Sequence, residues 1–336
     1  MAQSVKKYSG EKIDFFCHII PPKFKEALFK KSRPTWYIEN TKTLPALSDL
    51  NLRFKAMDKY EGMLQLLDLG MPPIEYAVPP KDAVQLARMA NDEMAELVNK
   101  YPNRFVGAVA GLPMNDVDAA LRETDRAIKE LKFKGIQLAS SINGKPLDRP
   151  EFLGLYEKMA QYDLPIWIHP TKDNDIPDYP DEKFSKYGLF RTFAWPFETT
   201  KAMIRLVFSG IMQKYPNLKF IIHHCGAMLP TFMGRVPESP PQDGEVMKLT
   251  KPPLEYFKKF YVDTVMWGNT PALMCGYALF GADKMLFASD YPYPGGAAKC
   301  DVAVGEVIES VERMNITDEE KAKIFSKNAR KILKLS

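Results

Sequence analysis

The sequence is poor in cysteine and histidine, with four of each among 336 residues. Cys17, Cys225, Cys275 and Cys300 form no Cys-x-x-Cys pair and no spacing of a structural zinc site, so a disulfide scaffold and a zinc finger are excluded and free thiols are expected. No apolar run approaches the length of a membrane span, and the lysines within Met1 to Lys12 are not followed by a signal-like apolar stretch. A cytoplasmic protein without a membrane partner is expected. Charge of one sign is also lacking: 46 basic and 42 acidic residues, spread along the chain, leave a net charge of +4. That balance argues against a nucleic-acid partner and remains compatible with a small anionic substrate.

What is present suits a globular enzyme. A hydrophobic fraction of 46% and a charged fraction of 26% supply ample core material, and a single domain over residues 1–336 is expected. Eight short apolar runs read as strands: Lys12 to Ile19, Met63 to Leu69, Arg104 to Ala110, Lys134 to Ala139, Pro165 to His169, Lys219 to His224, Phe260 to Thr264 and Lys284 to Ser289. Helical patterns lie between them, at Ala83 to Lys100, Val117 to Leu131, Glu151 to Gln161 and Thr200 to Lys214, with two more near Asp301 to Met314 and Thr317 to Leu335. The last opens with Thr317 and Glu320 in the spacing of a capping box. Strict alternation with eight strands predicts an α/β fold, a closed (β/α)8 TIM barrel. Long connections at about 21–51, 172–196 and 235–253 depart from the alternation, and in a barrel such segments cover the active-site face.

Every histidine falls at or near the end of a predicted strand. His18 follows Ile13-Asp14-Phe15-Phe16-Cys17, His169 closes Pro165-Ile166-Trp167-Ile168, His223 and His224 follow Phe220-Ile221-Ile222, and Asp290 follows Met285-Leu286-Phe287-Ala288-Ser289. Strand ends far apart in sequence meet at one mouth of a barrel, where imidazoles and a carboxylate could share a divalent ion. A lone histidine at a strand end is more often a packed core residue; the same placement in all four favours a site.

These motifs, Ile-Asp-x-x-x-His-x-x-Pro, Ile-His-Pro, His-x-Gly-x-x-x-Pro and Ser-Asp-Tyr-Pro, in this order, resemble the amidohydrolase superfamily, in the branch around aminocarboxymuconate-semialdehyde decarboxylase. Leu112-Pro113-Met114, Phe133-Lys134-Gly135-Ile136-Gln137, Glu198-Thr199-Thr200 and Gly234-Arg235-Val236 extend the likeness along the chain. The resemblance implies an amidohydrolase-type barrel, a homodimer, and one divalent metal, zinc or in its place manganese, held by His18, His169 and Asp290. It assigns His224 as the general base and gives Asp290 a share in proton transfer. His223, taken to lie on the opposite strand face from His224, is expected to be structural. One position departs from the family: the first member of its His-x-His pair is Phe16, which cannot bind metal. Three ligands remain, the number that leaves zinc an open position, while a metal-free state stays open and Phe16 could instead shape the substrate wall.

The activity implied is a metal-dependent carbon–carbon lyase that decarboxylates a small aromatic or unsaturated acid. A hydrolase of a ring-opened dicarbonyl or lactone at the same site, and a metal-free binding relative, are the alternatives. Arg235 is the first candidate for the substrate carboxylate, by its match to a family position that acts across the dimer, and Arg191 is the second. Trp195 is a candidate for stacking on a flat ring, whereas Trp167 reads as core packing.

Overall fold

The computed structural model describes residues 7–238 and 248–335. Eight parallel strands form its centre: β1 (Lys12–Ile19), β2 (Met63–Leu69), β3 (Phe105–Ala108), β4 (Ile136–Ala139), β5 (Ile166–His169), β6 (Phe220–Ile222), β7 (Tyr261–Asp263) and β8 (Met285–Leu286). Continuous ladders join β1 to β3 in one sheet and β4 to β8 in another. Single bridges, Ala110 with Ile136 and Cys17 with Tyr291, close the two seams, and Phe15 N–H donates to the Phe287 carbonyl at 2.9 Å across the second. The fold is the TIM barrel expected from the alternation.

Side-chain alternation divides the core in two. Ile13, Phe15, Leu66, Trp167, Ile221 and Leu286 fill the barrel interior, while Cys17, Leu67, Ile168 and Ile222 face the surrounding helices. β1 breaks its own period: its register against β2 shifts between Asp14 and Cys17, so Phe15 and Phe16 both reach the interior cluster and Cys17 turns outward. Trp167 stacks on Phe15 with ring centres 5.0 Å apart and donates its indole N–H to the Phe15 carbonyl at 3.0 Å, as a core residue does. The final helical segment seals the end where the strands begin: Ile332 and Leu333 enter the interior cluster, and Arg330 pairs with Glu11 just ahead of β1.

The main helices are α1 (Pro22–Lys31), α2 (Trp36–Lys42), α3 (Leu50–Met57), α4 (Pro80–Lys100), α5 (Val117–Lys129), α6 (Leu153–Tyr162), α7 (Trp195–Phe208), α8 (Thr270–Phe280) and α9 (Gly296–Glu312). The first long connection, expected as a loop, holds α1 and α2, because Pro22 and the Thr35 side chain supply helix starts. The second remains largely irregular until Phe190. The helix expected from Thr200 to Lys214 starts earlier, at Trp195, and is interrupted at Gly210, whose φ of +79 ends one segment before Ile211–Lys214 begins. Of the third connection, residues 239–247 lie outside the described residues.

Candidate active site

The chemistry sits where the strands end. β1 delivers His18, β5 delivers His169, the turn after β6 delivers His223 and His224, and the turn after β8 delivers Asp290. His18, His169 and His223 each offer a ligand atom within 4.8 Å of the others, and all three are buried. Asp290 Oδ1 lies 3.1 Å from His18 Nε2 and 3.4 Å from His223 Nε2, so the carboxylate closes the same cluster.

Each of these imidazoles has its other nitrogen turned outward to a partner. His169 Nδ1 is 2.7 Å from the Pro170 carbonyl, which only accepts, so Nδ1 carries the proton and Nε2 is left with a lone pair. His18 Nδ1 lies 3.1 Å from Asp68 Oδ2, and His223 Nδ1 bonds the Asp263 carboxylate. Outer partners of this kind orient histidines that ligate metal through the remaining nitrogen. The donor set, imidazole nitrogens with one carboxylate, suits zinc or manganese.

The charges agree with this arrangement. Burial disfavours the imidazolium of His18, yet the neighbouring Asp68 and Asp290 carboxylates outweigh it and lift its pKa to about 10. Burial is likewise outweighed at His223, where Asp263 and Asp290 lift the value to about 9. Burial would raise Asp290, but the hydrogen-bonded His18 imidazole and the neighbouring His223 imidazole hold it well below the usual carboxylate range. His169 is driven down by burial and by the adjoining imidazoles, and His224, for the same two reasons, falls to about 3.

The expectation for His223 is corrected. β6 ends at Ile222, and Ile221 is the inward residue, so alternation sends His223 inward as well. His224 follows with φ +58, outside the strand, half-buried, and with its ring centre 3.9 Å from that of His223. Its Nδ1 has no hydrogen-bond partner among the described residues. Phe16 is fully buried and stacks on His223 with ring centres 4.2 Å apart.

The candidate substrate residues divide. Trp195 stands at the mouth, its ring centre 5.8 Å from His169, fixed by an indole N–H bond of 3.1 Å to the Lys172 carbonyl. Arg191 is exposed and lies over the Trp36 ring at 5.8 Å, away from the cluster. Arg235 is exposed in the turn Met233–Arg235 and is not gathered into the cluster by its own chain. Sequence reasoning missed Asp68 and Asp263, although each closes an apolar strand just as the histidines do, and Tyr293, whose ring packs 5.1 Å from His18. A space of about 30 Å³ touches His169, and a larger cavity of about 660 Å³, lined by Arg33, Lys172, Lys201 and Arg205, shares Pro73 and Glu75 with it.

Residues 13–335 match the sequence profile of the amidohydrolase family. The chain belongs to that family. Among its amidohydrolase relatives is the 2-amino-3-carboxymuconate-6-semialdehyde decarboxylase of Dictyostelium discoideum, 30% identical over 274 residues, covering 81% of this chain and 73% of the relative. The gamma-resorcylate decarboxylase of Polaromonas sp. strain JS666 is 32% identical over 301 residues, covering 84% and 87%. A solved 5-carboxyvanillate decarboxylase from Novosphingobium aromaticivorans, with manganese and 4-hydroxy-3-methoxy-5-nitrobenzoic acid, superposes with a TM-score of 0.84 at 26% identity over all of both chains. The amidohydrolase resemblance read from the motifs is thereby confirmed.

Proposed function

We propose that this chain is a metal-dependent carboxy-lyase that releases carbon dioxide from a small aromatic carboxylic acid, acting in the cytoplasm as a homodimer. The observation that carries the reading is the buried strand-end cluster of His18, His169 and His223, which Asp290 adjoins through His18 and His223, in a chain whose relatives include decarboxylases of aromatic and unsaturated acids. Zinc suits this donor set, and manganese, the ion of the solved relative, is the alternative.

A divalent ion held by His18, His169 and Asp290 would polarise a phenolate or carboxylate oxygen of the substrate. The side chains supply positioning and the proton. In decarboxylation of a ring acid, the carbon bearing the carboxylate takes a proton, the carbon–carbon bond breaks, its electron pair returns to the ring, and carbon dioxide leaves. His224 Nδ1, which has no partner among the described residues, is the group placed to pass a proton from water to the ring carbon, although burial and the neighbouring His223 disfavour its charged form and keep that form short-lived. Asp290, held in its ionised form by His18 and His223, serves as a ligand and not as the acid. Trp195 offers an indole face to a flat ring beside His169. Arg235, reaching from the partner subunit, binds the departing carboxylate, and Arg191 is the second choice.

The test is incubation of metal-loaded protein with carboxylated phenols such as 2,6-dihydroxybenzoate and 5-carboxyvanillate, compounds named for solved relatives. Carbon dioxide and the decarboxylated phenol in equal amounts are expected. A second acid fragment without carbon dioxide, from a ring-opened dicarbonyl or a lactone, would move the assignment to a hydrolase. Failure to bind zinc or manganese at all would move it to a binding protein.

A further inference from the structure

We infer that His223, oriented by Asp263, is a protein ligand of the divalent ion and replaces the one that Phe16 removes. The inference rests on the metal-dependent reading above and deepens it, because it concerns which residues of this chain complete the site.

Three observations converge. First, Phe16 stands on the inward face of β1, and the ring packed against it is His223, with centres 4.2 Å apart and planes 28° from parallel. A phenyl ring donates nothing to a metal, but it holds the neighbouring imidazole in one plane. Second, His223 Nε2 lies 3.4 Å from Asp290 Oδ1, and the His223 ring centre is 5.1 Å from that of His169. This nitrogen is buried and has no hydrogen-bond partner among the described residues. An unsatisfied buried nitrogen facing a carboxylate and two imidazoles calls for a cation or a proton to pair it.

Third, the outer partner of His223 is rigid. Asp263 accepts the backbone N–H groups of His224 at 3.2 Å, Cys225 at 3.0 Å and Val265 at 2.9 Å, in addition to His223 Nδ1. A carboxylate tied to three amides fixes the tautomer and direction of the imidazole it touches, in the same way that the Pro170 carbonyl serves His169. His224 has no such support, and its unpaired Nδ1 suits a group that exchanges protons. The two adjacent histidines thus divide the work, His223 holding the ion and His224 moving the proton.

Metal binding tests this without recourse to turnover. Chelator-treated wild type, His223→Gln, Asp263→Asn, His224→Gln and the double variant Phe16→His/His223→Gln are titrated with manganese by calorimetry and with cobalt by visible absorption, with circular dichroism as the check on folding. Asp263→Asn should lose about 10- to 100-fold in affinity, the range for an outer partner, and His223→Gln should lose more than that. His224→Gln should bind as wild type does. Restoring an imidazole at position 16 in the double variant should recover affinity and change the cobalt spectrum relative to His223→Gln. Wild-type affinity and spectrum in folded His223→Gln would overturn the inference and leave the metal reading standing. If His223→Gln does not fold, Asp263→Asn decides, and wild-type affinity and spectrum in that folded variant overturn the inference. A wild type that binds neither ion overturns both.

Discussion

His18, His169 and His223 each commit one ring nitrogen to a partner outside the cluster, which leaves the ligand direction to the other nitrogen and gives the site its pH behaviour. In the metal-free protein, burial opposes the imidazolium of His18 and His223, but the carboxylates around them prevail and hold the pKa values at about 10 and about 9. Near neutral pH both rings therefore carry a proton that an entering ion must displace. Affinity should rise with pH, by up to about 100-fold per unit while two protons are released, and level off above about pH 9 to 10. Manganese titrations between about pH 6 and about pH 8 in two buffers of different ionisation enthalpy measure that proton release, and a flat profile would show that the rings are already neutral. His224→Ala should abolish carbon dioxide release by about 100-fold or more while leaving the ion in place, checked by elemental analysis beside the rate. Trp195→Ala should raise KM with little change in kcat, and Trp195→Phe should restore most of it. At this scale the histidines at strand ends were legible because polar groups interrupt apolar runs. The orientation of His223 and His224 was not, because an alternation count depends on where the strand stops, and β6 stops at Ile222.

Between residues and barrel stand the turns and helix ends, which place those side chains. The turn after β6 runs through positive φ at His224, Cys225, Gly226 and Ala227. A Cβ at Gly226 would come within 2.7 Å of the Phe280 ring and 3.2 Å of Val262, and φ there is +77. Gly226→Ala should therefore cost about 2 kcal/mol or more and displace His223 and His224 together, so thermal unfolding and metal affinity should fall in parallel. At the other extreme, the Thr317 hydroxyl caps Glu320 N–H while Glu320 returns a bond to Thr317 N–H at 2.9 Å. Thr317→Ala should lower stability by about 1 kcal/mol in denaturant titration and leave turnover unchanged, since the cap lies away from the cluster. The cap was readable at the level of local chemistry from Thr-x-x-Glu, whereas the turn was not, since Gly226 entered only through the His-x-Gly motif of the family resemblance. The helices α1 and α2 were hidden because short, lysine-rich segments with prolines at their starts resemble loops until they pack, as Phe24 and Leu28 do. The space beside His169, about 30 Å³, is large enough for roughly one water.

The closed barrel brings together residues that one chain owns, and the candidate carboxylate cation is not among them. The eight-strand alternation made the barrel legible, because every strand and crossover is local in sequence, whereas an interface between copies leaves no periodic trace. Arg235 illustrates the difference: its own chain leaves it exposed in the turn Met233–Arg235, a few residues before those outside the described set, and a guanidinium so placed can serve a carboxylate only if something else approaches it. If that partner is a second copy, each active site combines His224 of one subunit with Arg235 of the other. Arg235→Ala and His224→Ala homodimers should then both be inactive, yet mixing them after dissociation should return activity, because half of the reassorted dimers hold one site with both wild-type residues. The recovery should approach about a quarter of the wild-type rate, from two symmetric sites per dimer and random reassortment. Sedimentation of the mixture verifies that dimers have re-formed. No recovery from re-formed dimers would place Arg235 outside the partner's site and transfer the carboxylate role to a cation of the same chain, with Lys172 and Arg33 beside the larger cavity as the groups to substitute next.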